Sequence, residues 1–520
     1  MLSLSQFPRR AAAINGRGVA TLCGERKRNW SQFLERVQRA AGMLKNLGLE
    51  AGDRVAILSP NSDTYMEYLF SVNWAGGVLV PLNTRLAAPE ISDWINDSGA
   101  KILVISEDFV ETIAAIRDDI GKVEQLICLG ESEPPAAGLL SHEKLLAEAP
   151  AIEDAGRKDD DLAFLFYTGG TTGKSKGVMI THAGLYINIL QWINAVGVTE
   201  DDRFLIIPPM FHAAGGENSM AVAALAATAA IMPRFDPLTV LQDIERHRLT
   251  KLPLVATMLD MVVNHPQIAE FDLSSVRKIT YGASPIHERI LTRSLEVFPR
   301  AEFCQVFGQT EGGPTVTVLP PKYHVTSGPN AGKLKSAGIP IIGVELKIVD
   351  EQDRELPCGQ TGEICVRSPG VSPGYWNLPA VTAEALRGGW MHTGDAGYLD
   401  EDGFLYIADR IKDMIISGAE NVYPAEVEAV LLKHEAIIEC AVIGIPSEKW
   451  GEQVHAIVRT ADGEPLLEQD LIDYCRQYLA GYKCIRSVEF RKEAFPLSAA
   501  NKVLKRELRK PYWQAEDRSI

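Results

Sequence analysis

Apolar residues near the N-terminus recur at helical spacing. Leu34, Val37, Ala41 and Leu44 are separated by three, four and three positions, which predicts one buried helix face. Ser31 is placed to cap its start and Gly48 to close its end. The apolar run Arg54–Leu58 then reads as a short buried strand. The same alternation continues with a helix near Tyr65–Ala75, a strand at Val78–Pro81, a helix near Pro89–Ser98 and a strand at Ile102–Ile105. Helix and strand in turn favour a parallel sheet flanked by helices.

The texture changes from about Gly332 to short strands between Gly/Pro turns, at Glu345–Val349, Gly362–Val366 and Phe404–Ile407. A β-rich unit is expected there. A charged break at Asp409–Asp413 precedes a helix opened by Pro424, with Val427, Val430 and Leu431 on one face, and strands at Ala441–Ile445 and His455–Val458. The expected fold class is therefore α/β: a large N-terminal domain of parallel α/β sheets plus a small β-rich unit, and a small α/β C-terminal domain. The boundary falls at 409/410.

Composition narrows the function classes. The 46% hydrophobic and 23% charged content over 520 residues is that of a globular, multidomain chain. A net charge of −16 argues against a nucleic-acid partner, while leaving room for a local basic tunnel. Eight cysteines without a Cys-x-x-Cys pair suggest reduced thiols rather than a zinc or disulfide framework. The segment after Arg9 and Arg10 is broken by Asn15, Gly16, Arg17 and Gly18, so it is no signal-peptide core. The longest apolar run, Met220–Met232, is too short for a bilayer, which takes about 20 residues. A soluble, cytoplasmic protein without an integral membrane segment is expected.

The sharpest chemical signal is Tyr167–Val178, reading YTGGTTGKSKGV after the apolar strand Leu162–Tyr167. Glycines let backbone amides approach a polyphosphate, threonines add hydroxyl donors, and lysines supply charge. A flexible surface turn would use the same glycines. The ordinary P-loop does not fit, because its first glycine would fall on Thr168.

This segment resembles the phosphate loop of the adenylate-forming acyl-CoA synthetase superfamily, and further signatures follow in the same order. They are Phe307-Gly308-Gln309-Thr310-Glu311, Trp390–Asp395, the hinge-like Asp409–Asp413, and Pro496–Arg509 around Lys502. The resemblance runs from about residue 30 to 509. It implies ATP, Mg²⁺ and coenzyme A as cofactors or cosubstrates, and a small-molecule carboxylic acid as substrate. A homodimer is compatible with it.

The resemblance also implies roles. Thr168, Gly169, Gly170, Thr171, Thr172, Gly173 and Lys176 would cradle the phosphates, with Thr168 and Glu311 near the metal. Adenine would sit between the Gly282-Ala283-Ser284 edge and the ring of Phe307, followed by Gly308, Gln309 and Thr310. Asp395 would hold the ribose hydroxyls, and Arg410 the ribose or phosphate. Lys502 would bridge the substrate carboxylate and the α-phosphate. Lys412 would be the hinge, and Ser417, Gly418, Ala419 and Glu420 would line the coenzyme A tunnel. This sequence departs from the family pattern in Phe307 for tyrosine, and in Asn501 and Ala419 for glycines. Ser175 in the phosphate loop also stands apart from it.

His212, Thr280, Tyr281 and Gly282 would border the acyl pocket, with His212 at its mouth. The alanine-rich stretch 221–230, taken as helix, offers a small-residue face beside a roomy cavity or a site of close helix packing. Tyr281 would shorten the cavity or offer a phenolic donor. Phe211–Met232 contains no lysine or arginine to meet a second carboxylate, so an apolar fatty, aromatic or ring-bearing monocarboxylate is expected. Alternative functions are an adenylation enzyme loading a carrier protein, a luciferase-like oxygenase, or a binding protein without catalysis. The intact set Lys502, Glu311 and Asp395 disfavours the last, and the short stretch after Arg509 disfavours a fused carrier domain.

Overall fold

A computed structural model describes residues 1–513 except 131–133, 169–174, 283–285, 287, 326, 411–412, 418–419, 448, 461–465 and 498–502; the side chains at 288, 409, 410, 420 and 421 are likewise outside it. The chain divides into two compact units. One holds Met1–Gly170, Ser175–Leu346 and Val366–Met391, and the other takes in Lys347–Cys365 and the chain from His392 onward.

The first unit is built on two large sheets. One runs in the order Leu140–Ser141, Gln125–Leu129, Ile102–Ser106, Arg54–Leu58, Val78–Pro81, Leu162–Thr168, Lys176–Thr181. Its pairs are parallel except the last. Val78–Pro81 is buried along its length, as expected for a parallel strand covered on both faces. The second sheet orders its central strands as Glu302–Gln309, Lys278–Gly282, Lys251–Pro253, Arg203–Ile206, Thr228–Ile231 and Val19–Cys23, all joined in parallel. Trp30, Phe33, Tyr65, Phe70, Phe164 and Trp192 anchor the largest core cluster. A second cluster holds Ile279, Tyr281 and Phe303.

The first helix differs from expectation at its start. It runs Trp30–Asn46, and Asn29 rather than Ser31 caps it. Asn29 Oδ1 accepts from Gln32 N at 2.8 Å while Gln32 Oε1 accepts from Asn29 N at 2.9 Å. This reciprocal pair satisfies two backbone donors that a Ser31 cap would leave open.

The alanine-rich stretch is not one helix. The helix Ala213–Leu225 stops at Ala226, whose φ of +58° is left-handed, and the strand Thr228–Ile231 follows. The Ala226 amide closes the turn by donating to the carbonyls of Val222 and Ala223. Alanine here serves close packing of a buried strand beside Arg203–Ile206, so no continuous small-residue helix face exists across 221–230.

The second unit carries most of a four-stranded sheet, ordered Glu345–Val349, Gly362–Arg367, Met391–Leu399, Leu405–Arg410. It also carries a sheet ordered Glu420–Val422, Ile415–Ser417, Gly451–Thr460, Ile437–Ser447, with Ser487–Phe490 joined to Gly451–Thr460. Val427, Leu431, Leu471 and Cys475 fill its core. Among the described residues no helix is long and apolar enough to cross a membrane.

Candidate active site

In the first unit the two strands that flank the phosphate-loop motif pair with each other. Leu162–Thr168 and Lys176–Thr181 pair antiparallel, with Thr168 opposite Lys176 and Tyr167 opposite Gly177. Gly169, Gly170, Thr171, Thr172 and Gly173 lie outside the described residues. The two flanking positions are fixed, and they bring the Thr168 hydroxyl to Glu311. Thr168 Oγ1 donates to Glu311 Oε1 at 3.2 Å.

Glu311 occupies a single 3-10 turn, Thr310–Gly312, between the antiparallel strands Glu302–Gln309 and Gly313–Leu319. The same Oε1 accepts the hydroxyl of Tyr375 at 3.2 Å, and the amide of Ser372 donates to the Glu311 carbonyl at 2.8 Å. Lys176 Nζ lies 4.9 Å from the centre of the Tyr375 ring, a cation–π contact. Burial, and after it the charge of Glu311, pushes the Tyr375 phenol up, so it stays protonated and donates. The structure brings Thr168, Lys176 and Glu311, all expected near the phosphates, together with Tyr375, which the sequence did not mark. The only signal was an aromatic pair following Pro373-Gly374. A carboxylate, a threonine hydroxyl and a phenol are hard oxygen donors, which suits Mg²⁺.

Two glycines are required by close backbone approach. A Cβ on Gly308 would fall 2.2 Å from the Pro314 carbonyl oxygen, and one on Gly282 would fall 2.1 Å from that of Val306. The expected adenine edge is thus flattened at Gly282, where Lys278–Gly282 lies parallel to Glu302–Gln309. Ala283 and Ser284 lie outside the described residues. Phe307 is half-buried against the main core cluster, and Gln309 Nε2 reaches Met391 Sδ at 3.4 Å.

His212 is the residue immediately before the helix Ala213–Leu225, with its ring centre 4.7 Å from that of Phe211. Thr280 and Tyr281 do not share a face, because side chains alternate along a strand. Thr280 Oγ1 accepts from Lys251 Nζ at 2.7 Å, and Lys251 also donates to Asn218 Oδ1 of the His212 helix at 3.0 Å. Tyr281 points into the other cluster, with its hydroxyl 3.0 Å from His324 Nε2. His324 Nδ1 lies 3.1 Å from the Pro320 carbonyl, so Nδ1 donates there and Nε2 accepts from the phenol. Burial pushes His324 down to about 4, which keeps it neutral. The phenolic donor expected of Tyr281 is thus already engaged by His324, on the face opposite Thr280. The fold thus sets a lysine, Lys251, beside the His212 helix from outside the stretch 211–232.

In the second unit Asp395 is buried, with its backbone paired opposite Arg410. Its amide donates to Thr393 Oγ1 at 3.0 Å, and Thr393 Oγ1 donates to the Ile364 carbonyl at 2.7 Å. Glu363 Oε1 accepts from the Gly394 amide at 3.0 Å, while its Oε2 lies 2.8 Å from His392 Nδ1. Glu363, Cys365 and His392 bring donor atoms within 4.8 Å of one another. Their contacts clamp the backbone that presents Asp395. Ser417 is buried and pairs with Glu420 and Gly451.

Lys412, Gly418, Ala419 and Lys502 lie outside the described residues, as do the side chains of Arg410 and Glu420. The chain on both sides of Lys502 is nonetheless fastened. Leu497 bridges Val503, and the Leu504 amide donates to the Pro496 carbonyl at 2.8 Å. Lys505 pairs with Glu428 at 2.8 Å, and Arg509 Nη2 donates to the Asp413 carbonyl at 2.9 Å.

This chain belongs to the AMP-binding enzyme family: it matches that family over residues 3–376 and the AMP-binding enzyme C-terminal domain over 426–502. A feruloyl-CoA synthase of Amycolatopsis is 37% identical over 510 residues, covering 98% of this chain and 99% of the relative. A fatty acid–[acyl-carrier-protein] ligase, ScoC, of Streptomyces coeruleorubidus is 39% identical over 519 residues, covering 96% and 95%. The anthranilate CoA ligase AuaEII, solved with anthranoyl-AMP, superposes with a TM-score of 0.89 at 25% identity, covering 99% of this chain and 98% of that one.

Proposed function

We propose that this enzyme joins a carboxylic acid to coenzyme A through an acyl-adenylate, consuming ATP with Mg²⁺ and releasing AMP and pyrophosphate. The observation that carries this reading is the contact of Thr168 with Glu311 at the end of the loop hairpin, beside Tyr375 and Lys176. Charge builds on the α-phosphate and the departing pyrophosphate during adenylation, and fixed cations with oriented donors stabilise it. Mg²⁺ held at Glu311 and Thr168 would supply part of that charge. Lys176 offers a second cation next to it. Lys502 would neutralise the substrate carboxylate and α-phosphate, and the buried Asp395 would accept the ribose hydroxyls. Gly282 and Phe307 would seat adenine. His212 would meet the carboxylate at the pocket mouth. Ser417 and Glu420 would line the passage of the thiol.

In this reading the part from 410 onward rotates about Lys412 between the two half-reactions. The substrate is a monocarboxylate of aromatic, ring-bearing or fatty type, in keeping with the names of the aryl and fatty-acid relatives. The enzyme is expected to work in the cytoplasm.

The test is incubation with ATP, Mg²⁺, coenzyme A and a panel of carboxylic acids. AMP, pyrophosphate and an acyl-CoA are expected. ADP and phosphate would overturn the adenylate route. A second reading, loading of an acyl carrier protein, is favoured by the 39% identity to ScoC. Thiol-dependent AMP release with coenzyme A against acyl carrier protein distinguishes the two.

A further inference from the structure

Five buried polar side chains meet on the face of the second sheet that carries Thr280, beside Trp192 and Phe204 of the main core cluster. Glu217 and Asn218 come from the helix Ala213–Leu225, Lys251 and Thr280 from adjacent parallel strands, and Thr315 from Gly313–Leu319. Glu217 is 1% exposed and Lys251 is 0% exposed. Thr315 Oγ1 donates to Glu217 Oε2 at 3.1 Å, but Glu217 Oε1 has no hydrogen-bond partner among the described residues. Lys251 Nζ lies 4.9 Å from the Trp192 ring centre, and two of its three donors go to Asn218 and Thr280.

An unpartnered oxygen of a buried carboxyl group is costly, and interiors rarely keep one without a use for it. Here it sits five residues along a helix from His212. At about 1.5 Å per residue that is roughly 7.5 Å along the helix axis. The two residues stand at different levels of the helix that would border the acid, so a group reaching Glu217 would lie away from the carboxylate end.

We propose that Glu217, Lys251 and Thr280 form the distal recognition site of the acyl pocket, and that the acid it takes carries a hydroxyl group at its far end. The inference rests on the adenylation reading above and refines its substrate. A hydroxyl can donate to the open Glu217 oxygen, and its own oxygen can accept from the donor that Lys251 keeps beyond those given to Asn218 and Thr280. Burial pushes Glu217 up to about 8 and Lys251 down to about 7, and a hydroxyl suits the pair whether ionised or neutral. A plain alkyl or aryl terminus leaves the oxygen open. A second carboxylate would stand against Glu217.

The experiment compares 4-hydroxycinnamate with cinnamate by pyrophosphate release from the full-length enzyme with ATP and Mg²⁺. The ratio of kcat/KM values is expected to favour the hydroxylated acid tenfold or more, since sites built for a hydroxyl strongly reject its absence. Glu217→Leu is expected to bring that ratio to about one. Where Glu217→Leu fails to fold, Thr280→Val and Thr315→Val carry the test, each lowering the ratio at least threefold. A wild-type ratio of one or less, or a ratio unchanged in the folded variants, overturns the inference. So does activation of other acids but neither of these two. Pyrophosphate release from no acid at all would instead overturn the adenylation reading, and the inference with it.

Discussion

The hydroxyl of Tyr375 and the carboxylate of Glu311 are joined at 3.2 Å, across 64 positions of sequence. The bond fixes which oxygen of Glu311 faces Thr168, because both donors meet the same Oε1. The other oxygen is thereby turned toward whatever else the carboxylate meets. Tyr375→Phe removes one donor to a charged group, worth about 1.5–3 kcal/mol in a buried setting. We expect adenylation to fall about tenfold or more in kcat/KM for MgATP, read by pyrophosphate exchange. An unchanged value would show that Glu311 is held without Tyr375.

Tyr281→Gly should be a stability variant, not a specificity one. The side chain is buried with Ile279 and Phe303 and bonded to His324. Truncating a large buried aromatic costs about 3–5 kcal/mol. We expect a lower urea midpoint and an unaltered chain-length profile among acids. A clear shift toward longer acids would restore Tyr281 to the pocket.

Stability should fall as pH drops below neutrality. Burial holds His142, His182 and His324 each down to about 4. In the unfolded chain they titrate near 6.5, so between about 6.5 and 4 the unfolded state binds more protons. Stability conferred by neutral imidazoles is therefore full above 6.5 and is lost progressively down to 4. The loss is on the order of 3 kcal/mol for each. Urea midpoints at pH 7 and pH 5 measure it. His324→Asn, which keeps an acceptor for Tyr281, should make the slope shallower by up to one proton. An unchanged slope would contradict the assignment of His324 as a buried neutral ring.

The sequence made the strands of the first sheet legible because parallel strands covered on both faces are short apolar runs. Arg54–Leu58 and Val78–Pro81 were bounded correctly for that reason. The stretch 221–230 was read as helix, and the helix that enters it, Ala213–Leu225, was bounded at neither end. Its end lies at Ala226 in a left-handed conformation that alanine seldom adopts, so no local signal announced it. The candidate site was legible where motifs are local: Thr168, Lys176 and Glu311, which the structure brings near one another, each sit in a recognisable segment. Tyr375 and Lys251 were not, because each reaches its partner through tertiary pairing. Lys251 lies in a strand of three residues ending in proline, which carries no periodicity to place it. The pairing of Glu363 with His392 was hidden in the same way, although His392 stood inside a motif already noticed.

The two half-reactions should separate by mutation in the second unit. The chain around Lys502 is held by the Leu497–Val503 bridge, and the helix after it is tied through Arg509 to Asp413, the residue following the proposed hinge. In the proposed reading, Lys502 serves adenylation and the turn at Lys412 serves the passage to thiolysis. Lys502→Ala should lower adenylate formation by about two orders of magnitude, equivalent to roughly 3 kcal/mol of transition-state stabilisation. Thiolysis of supplied acyl-adenylate should be spared. Lys412→Pro fixes one backbone angle and should do the reverse, sparing adenylation and slowing thiolysis. Pyrophosphate release and acyl-CoA formation, timed separately, read the two steps. Equal losses of both steps in both variants would exclude alternation about Lys412.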